Sequence, residues 1–236
     1  MVESKFIQRP WIEIKGMVNW RSMKDKILST KKYPKLLHQH YATSTKFYNA
    51  KRHFKALKEL VSNHIGKDLI TIEYDKKKWI SKIPATLSEN NLQFYDELEF
   101  IFYNLRSCID AFLWEINLIF KLECSKAAHV RDAMNKKCKE NEINNLLTNL
   151  QNEEWFIYLS QIRNKFTHRL LFEIATAEDL KLYLPTMSLT KKPDLFFYGA
   201  EKEYELFNCL NELTKNVMGF LEKGYKILVL DFPKIG

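Results

Sequence analysis

The chain has 236 residues, 46% apolar and 14% aromatic, which is too much burial potential for a disordered protein and enough length for one sizeable core. Lys and Arg outnumber Asp and Glu by 37 to 29, a net charge of +8 that favours a polyanionic partner, although a Lys-rich surface also serves solubility alone. No stretch approaches the ~20 uncharged apolar residues of a bilayer span, and Met1 to Pro10 lacks the order of a signal peptide, so no membrane and a cytoplasmic location are expected.

In residues 1–34, Phe6-Ile7, Trp11-Ile12-Glu13-Ile14 and Met17-Val18-Asn19-Trp20 are short apolar pieces broken by Pro10 and Gly16. That pattern suits extended segments or a short helix. From residue 35 to 65 the spacing of Leu36, Leu37, Tyr41, Phe47, Tyr48, Phe54, Leu57, Leu60 and Val61 predicts a helix, with Gly66 as its stop. Its opposite face carries Lys46, Lys51, Arg52, Lys55 and Lys58, either a solvated surface or a track for a phosphate backbone. Residues 68–84 hold two β-prone runs, Leu69 to Tyr74 and Lys78 to Ile83, around Asp75-Lys76-Lys77, which predicts a small β-hairpin. We therefore expect an N-terminal extension over residues 1–90 and a helical domain over 91–236.

Residues 91–122 are apolar nearly all round and predict a long helix covered on several sides. A Lys-rich, less regular segment (125–140) and a short helix (142–150) follow. The spacing then predicts an amphipathic helix over 152–172, opened by Asn152 and an acidic first turn. Residues 175–199 read as a long excursion with a short helix near Ala177 to Leu182, and 201–228 as a closing helix. Cys108, Cys124, Cys138 and Cys209 lack CxxC spacing and read as reduced and mostly buried. His38 and His40, two apart, point about 200° apart on a helix and cannot chelate together, so no metal is expected. No Gly-rich phosphate loop is present, and no cofactor is expected.

The helix over 152–172 is the informative one. Trp155, Leu159, Ile162, Phe166 and Leu170 form a core-facing stripe. Across an arc of roughly 140° on the other side lie Ser160, Arg163, Asn164, Thr167 and His168, with no carboxylate among them. A solvated face normally mixes Lys with Glu.

Arg163, the polar Asn164 directly after it and His168 match the Arg-x4-6-His signature of the HEPN superfamily, which this chain resembles from about Leu92 to Tyr225. The preceding apolar helix with Leu105-Arg106-Ser107-Cys108-Ile109-Asp110-Ala111-Phe112 is similar to the first core helix of such domains. The resemblance implies a mainly α fold, a HEPN-like antiparallel helical bundle, and metal-independent endoribonuclease activity in a toxin, phage-defence or RNA-processing role. RNA would be cleaved by its own 2′-hydroxyl, leaving a 2′,3′-cyclic phosphate.

In that chemistry His168 serves as general acid or base. Arg163 holds the charge growing on phosphorus, and Asn164 orients the imidazole or a phosphate oxygen. Ser160, Lys165 and Thr167 would contact substrate. One Arg and one His per chain are too few for both acid and base, so the resemblance implies a homodimer with facing motifs, and a protein inhibitor or regulator would fit a toxin. Two alternatives stay open. The first is a non-catalytic HEPN-like module that binds RNA, a nucleotide or a protein. In the second, Arg163 and His168 merely brace the bundle, with Arg163 paired to Asp110 or Glu115.

Overall fold

The computed structural model describes residues 16–30, 34–65, 67–69, 72–73, 81–83, 88–167, 174–176, 181–184, 186–187, 196–197 and 204–235. The fold is mainly helical, built around α2 (Pro34–His64) and α3 (Glu89–Ile119), each 31 residues long. They run antiparallel, because their contacts march in opposite directions: Gln39 to Ala111, His53 to Glu97, His64 to Asn90. Ser88 starts α3 by accepting a hydrogen bond from the Asn91 N–H, which satisfies one of the donors a helix leaves unpaired at its start.

The apolar-all-round reading of α3 has its cause in what surrounds it. Phe102 stacks on Phe166 of α6 (Glu154–Thr167), while Phe112 meets Phe220 and Tyr225 of α7 (Leu206–Ile235). Phe94, Leu98, Ile101, Leu105 and Ile109 are fully buried, each contributing about 1.5–3 kcal/mol by leaving water. Gly224 lets α7 approach closely, since a Cβ there would run into the Phe112 ring. The carboxylate of Glu205 accepts from the N–H groups of Phe207 and Asn208 and caps α7.

The short α4 (Val130–Lys137), preceded by a 3₁₀ turn (Ala127–His129), and α5 (Glu142–Leu150) connect α3 to α6. Helix α1 (Val18–Thr30) lies parallel to α7, with Asn19 bonded to Glu222 and Lys26 to the Val229 carbonyl. Of the two readings left open before residue 34, extended segments or a short helix, the described part takes the helix. Met17, Trp20, Met23 and Ile27 are buried at spacings of three and four, so tertiary burial selects the helix where local breakers argued against it. Residues on both sides of position 90 share one hydrophobic core.

At one edge of the helices the strands β1 (Ile72–Glu73), β2 (Ser81–Ile83), β3 (Ile174–Thr176), β4 (Leu182–Leu184) and β7 (Tyr204–Glu205) form an antiparallel sheet in the order β1-β2-β3-β4-β7. The strands β5 (Thr186–Met187) and β6 (Phe196–Phe197) pair separately. The turn expected at residues 75–77 lies outside the described residues. The short helix expected near Ala177 to Leu182 lies mostly outside the described residues; its last residue, Leu182, opens β4, with Leu182 and Leu184 buried and Tyr183 between them less so, a period of two rather than 3.6. Tyr95 of α3 fastens the sheet by donating to the Ile83 carbonyl (2.6 Å) and accepting from the Ile174 N–H (3.1 Å). Among the described residues no helix is long and apolar enough to cross a membrane.

Candidate functional site

Helix α6 ends its described course at Thr167. Leu159 and Ile162 are fully buried against α3 and Tyr158 nearly so, while Trp155 and Phe166 are half-buried at the rim of the core. The helix starts where Glu153, not Asn152, gives its carbonyl to the first intrahelical N–H groups. Turned away from the buried pair, Ser160 and Arg163 are half-buried and Asn164 is exposed, with Lys165 half-buried beside them. The side chain of Thr167, and His168 and Leu170 altogether, lie outside the described residues. The structure therefore brings Ser160, Arg163 and Asn164 to one shoulder of α6.

That shoulder is braced from α3. Arg106 donates through Nε to Ser160 Oγ (3.2 Å), pairs with Asp110, and lays its guanidinium 5.0 Å over the Phe156 ring. An Arg with three engagements is held in one rotamer and fixes the position of Ser160 along α6. Arg106 and Asp110 thus satisfy each other and also buttress the motif helix.

The structure also holds a polar cluster that the sequence reading did not assemble. His40 of α2, Glu115 of α3 and Tyr225 of α7 are each 0% exposed. His40 bonds through Nδ1 to Glu115 Oε2 (2.9 Å) and through Nε2 to the Trp20 carbonyl (3.0 Å), with the Trp20 indole stacked on the imidazole. Glu115 Oε1 accepts from both Thr43 Oγ1 and Tyr225 OH, each at 2.6 Å. A carbonyl can only accept, so His40 Nε2 carries a proton. One further proton then lies between Nδ1 and Oε2, and the pair is neutral overall whichever atom holds it. Burial, then the nearby Glu115, pushes the Tyr225 phenol well above its ordinary range, and burial raises the Cys108 thiol in the same pocket. This cluster ties four helices together and is closed to any substrate. The signal for it was a Glu within the otherwise apolar Ala111–Ile119 end of α3 and a His on the Leu36–Phe47 stripe; what the sequence lacked was the register that joins them.

A cleft of about 760 Å³ opens at the other end of α6, between it and α7, lined by Glu153, Glu154, Glu212, Asn149, Asn152 and Asn216 around Trp155 and Tyr158. It contains none of the motif residues, and its carboxylates repel a polyanion. Cys209 sits in its wall with a thiol pushed up to about 12 by burial. All four cysteines are free thiols, Cys108 and Cys209 buried and Cys124 and Cys138 half-buried. Among the described residues no group of three His, Cys, Asp or Glu side chains is placed to hold a metal ion. No family model, curated protein or solved structure matches this chain.

Proposed function

We propose that the chain is a HEPN-like antiparallel bundle, with the β-hairpin of residues 68–84 in its N-terminal extension, acting in the cytoplasm as a metal-independent endoribonuclease. The observation that carries the reading is the shoulder of α6: Arg163 and Asn164 stand beside Ser160 without a neighbouring carboxylate on their own helix.

In the proposed reaction the ribose 2′-oxygen attacks the adjacent phosphorus as its proton leaves to a base, and the bond to the 5′-oxygen breaks as that oxygen takes a proton from an acid. The products are a 2′,3′-cyclic phosphate and a 5′-hydroxyl. Arg163 neutralises the extra charge of the pentacoordinate phosphorus. His168 supplies one of the two proton transfers, and a second copy of the chain supplies the other, so the active form is a homodimer with facing motifs.

The test is RNA cleavage with a chelator present. We expect cutting that survives chelation, ends in a cyclic phosphate, and falls by about 10²- to 10⁴-fold in His168→Ala and to a similar extent in Arg163→Ala. Cleavage retained in both variants would sink the proposal. Binding of RNA without cleavage by the wild type would leave the binding-module alternative in its place.

A further inference from the structure

The cleft between α6 and α7 does not end at its acidic wall. A smaller cavity of about 210 Å³ continues it along α7, and the two share Asn149, Glu153, Trp155 and Asn216. The larger one alone has the size of a small-molecule site, ~300–1,000 Å³. Trp155 stands half-buried where they meet, its ring edge-on to Phe156 at 5.9 Å and 76°. The side-chain amides of Asn149, Asn152 and Asn216 add donors and acceptors to the walls.

Charge is sorted along this groove. Glu153, Glu154 and Glu212 line the larger cavity with no Lys or Arg among its described walls, and Lys215 and Lys223 enter only in the smaller one. Glu153 and Glu154 complement the start of α6, which accounts for them without a ligand. Glu212 has no such role, because it lies beyond the first turn of α7. Neither it nor Lys215 nor Lys223 has an ion-pair partner among the described residues. Gly219 forms the floor between the two charge groups. A Cβ there would meet nothing within 4 Å, so close packing does not demand glycine, and glycine inside a helix is unfavourable. Its bare surface keeps the groove open between Asn216 and Lys223.

We infer that this groove binds a small dipolar ligand, with a guanidinium against Glu212, Glu153 and the face of Trp155, and a carboxylate held by Lys215 and Lys223. An aliphatic stem crosses Gly219 between them. Glu212, Asn216, Gly219 and Lys223 follow one another at spacings of three and four, so they share one face of α7. Along the helix axis Glu212 is roughly 5 Å from Lys215 and roughly 16 Å from Lys223, which brackets the distance between the charged ends of an extended arginine. A planar guanidinium matches both an aromatic face and a carboxylate, which selects arginine over lysine. Free arginine and the C-terminal arginine of a peptide carry the same chemistry. The inference goes beyond the ribonuclease reading and is independent of it.

The experiment is isothermal titration calorimetry of the full chain with L-arginine, with agmatine, which lacks the carboxylate, and with L-citrulline, whose head is neutral. We expect L-arginine to bind, and each of the other two to bind about tenfold more weakly for want of one charged hydrogen-bonding end. Glu212→Gln should weaken L-arginine and agmatine alike by about tenfold. Lys215→Gln with Lys223→Gln should weaken L-arginine to a similar extent and leave agmatine as in the parent. Gly219→Leu keeps every charge and fills the floor, so it should abolish binding. All four positions are exposed, and thermal melting of each variant checks its fold. The peptide Gly-Gly-Arg, with a free or amidated C-terminus, separates the two sources: binding tighter than that of L-arginine and lost on amidation assigns a peptide end, and weaker binding assigns the free amino acid. The inference is overturned if L-arginine does not bind at millimolar concentration, or if agmatine and L-citrulline bind as tightly. It is also overturned if the folded Glu212→Gln and Gly219→Leu variants bind as the parent does. Because the readout is binding of an amino acid, its failure leaves RNA cleavage untouched, and loss of RNA cleavage leaves it untouched in turn.

Discussion

Two polar regions of this protein use similar side chains for opposite ends. The His40–Glu115–Tyr225 cluster is fully buried, and its imidazole and carboxylate are hydrogen-bonded within the chain. The shoulder of α6 is half-exposed, and its helix presents Ser160, Arg163 and Asn164 with no carboxylate among them. Buried charge that finds its partners inside the chain becomes architecture, whereas the Arg163 side chain on the shoulder of α6 is only half-buried.

The contrast breaks first at Glu115. Replacing it with Ala leaves His40, Thr43 and Tyr225 buried without their shared acceptor, at a cost of about 3–5 kcal/mol, or a fall in Tm of roughly 10 °C or more for a chain of this size. Glu115→Gln keeps an acceptor for Thr43 and Tyr225 and a donor toward His40 Nδ1, so its loss is expected to be much smaller; equal melting of the two variants would show that the cluster is not closed in the way described. Gly224→Ala tests the packing beside it, because the new methyl group displaces the Phe112 ring, an overpacking of about 1–3 kcal/mol readable by urea denaturation.

Alkali sharpens the same contrast. Cys108, Cys209 and Tyr225 all have raised pKa values in the folded chain, so the native state holds these protons more tightly than the unfolded state does. Their contribution to stability is complete below the ordinary thiol value of 9.0 and is lost as pH rises beyond it, toward about 12 for Cys209. Urea midpoints measured across that range should fall, and less steeply in Cys209→Ala. The smallest stability effect is expected on the open side. Arg163→Ala, which halts cleavage in our reading, should alter stability by no more than about 1 kcal/mol; a loss comparable to that of Glu115→Ala would move Arg163 into the architectural class.

What was legible in the sequence follows the range of the forces involved. The helices α2, α3, α5, α6 and α7 are written in apolar residues three and four apart, a signal that needs only local reading. The sheet was not legible as a sheet, because strands of two or three residues carry almost no pattern and β2 finds β3 across more than ninety positions. For α1 the choice between extended segments and a short helix stayed open, because Pro10 and Gly16 drew attention from the buried spacing of Trp20, Met23 and Ile27. At the candidate site, the arc of Ser160, Arg163 and Asn164 could be drawn on a wheel. The bond from Arg106 to Ser160 required knowing which helices lie side by side.

The clasp at Tyr95 has a consequence for how the chain reaches its final form. Its hydroxyl joins Ile83, upstream of α3, to Ile174, downstream of α6, so this edge cannot close until the intervening helices have packed. The Ile174 amide is therefore a native clock for this circuit: we expect its exchange with deuterated solvent to report opening of the clasp, and removing a single oxygen atom in Tyr95→Phe should set it running fast.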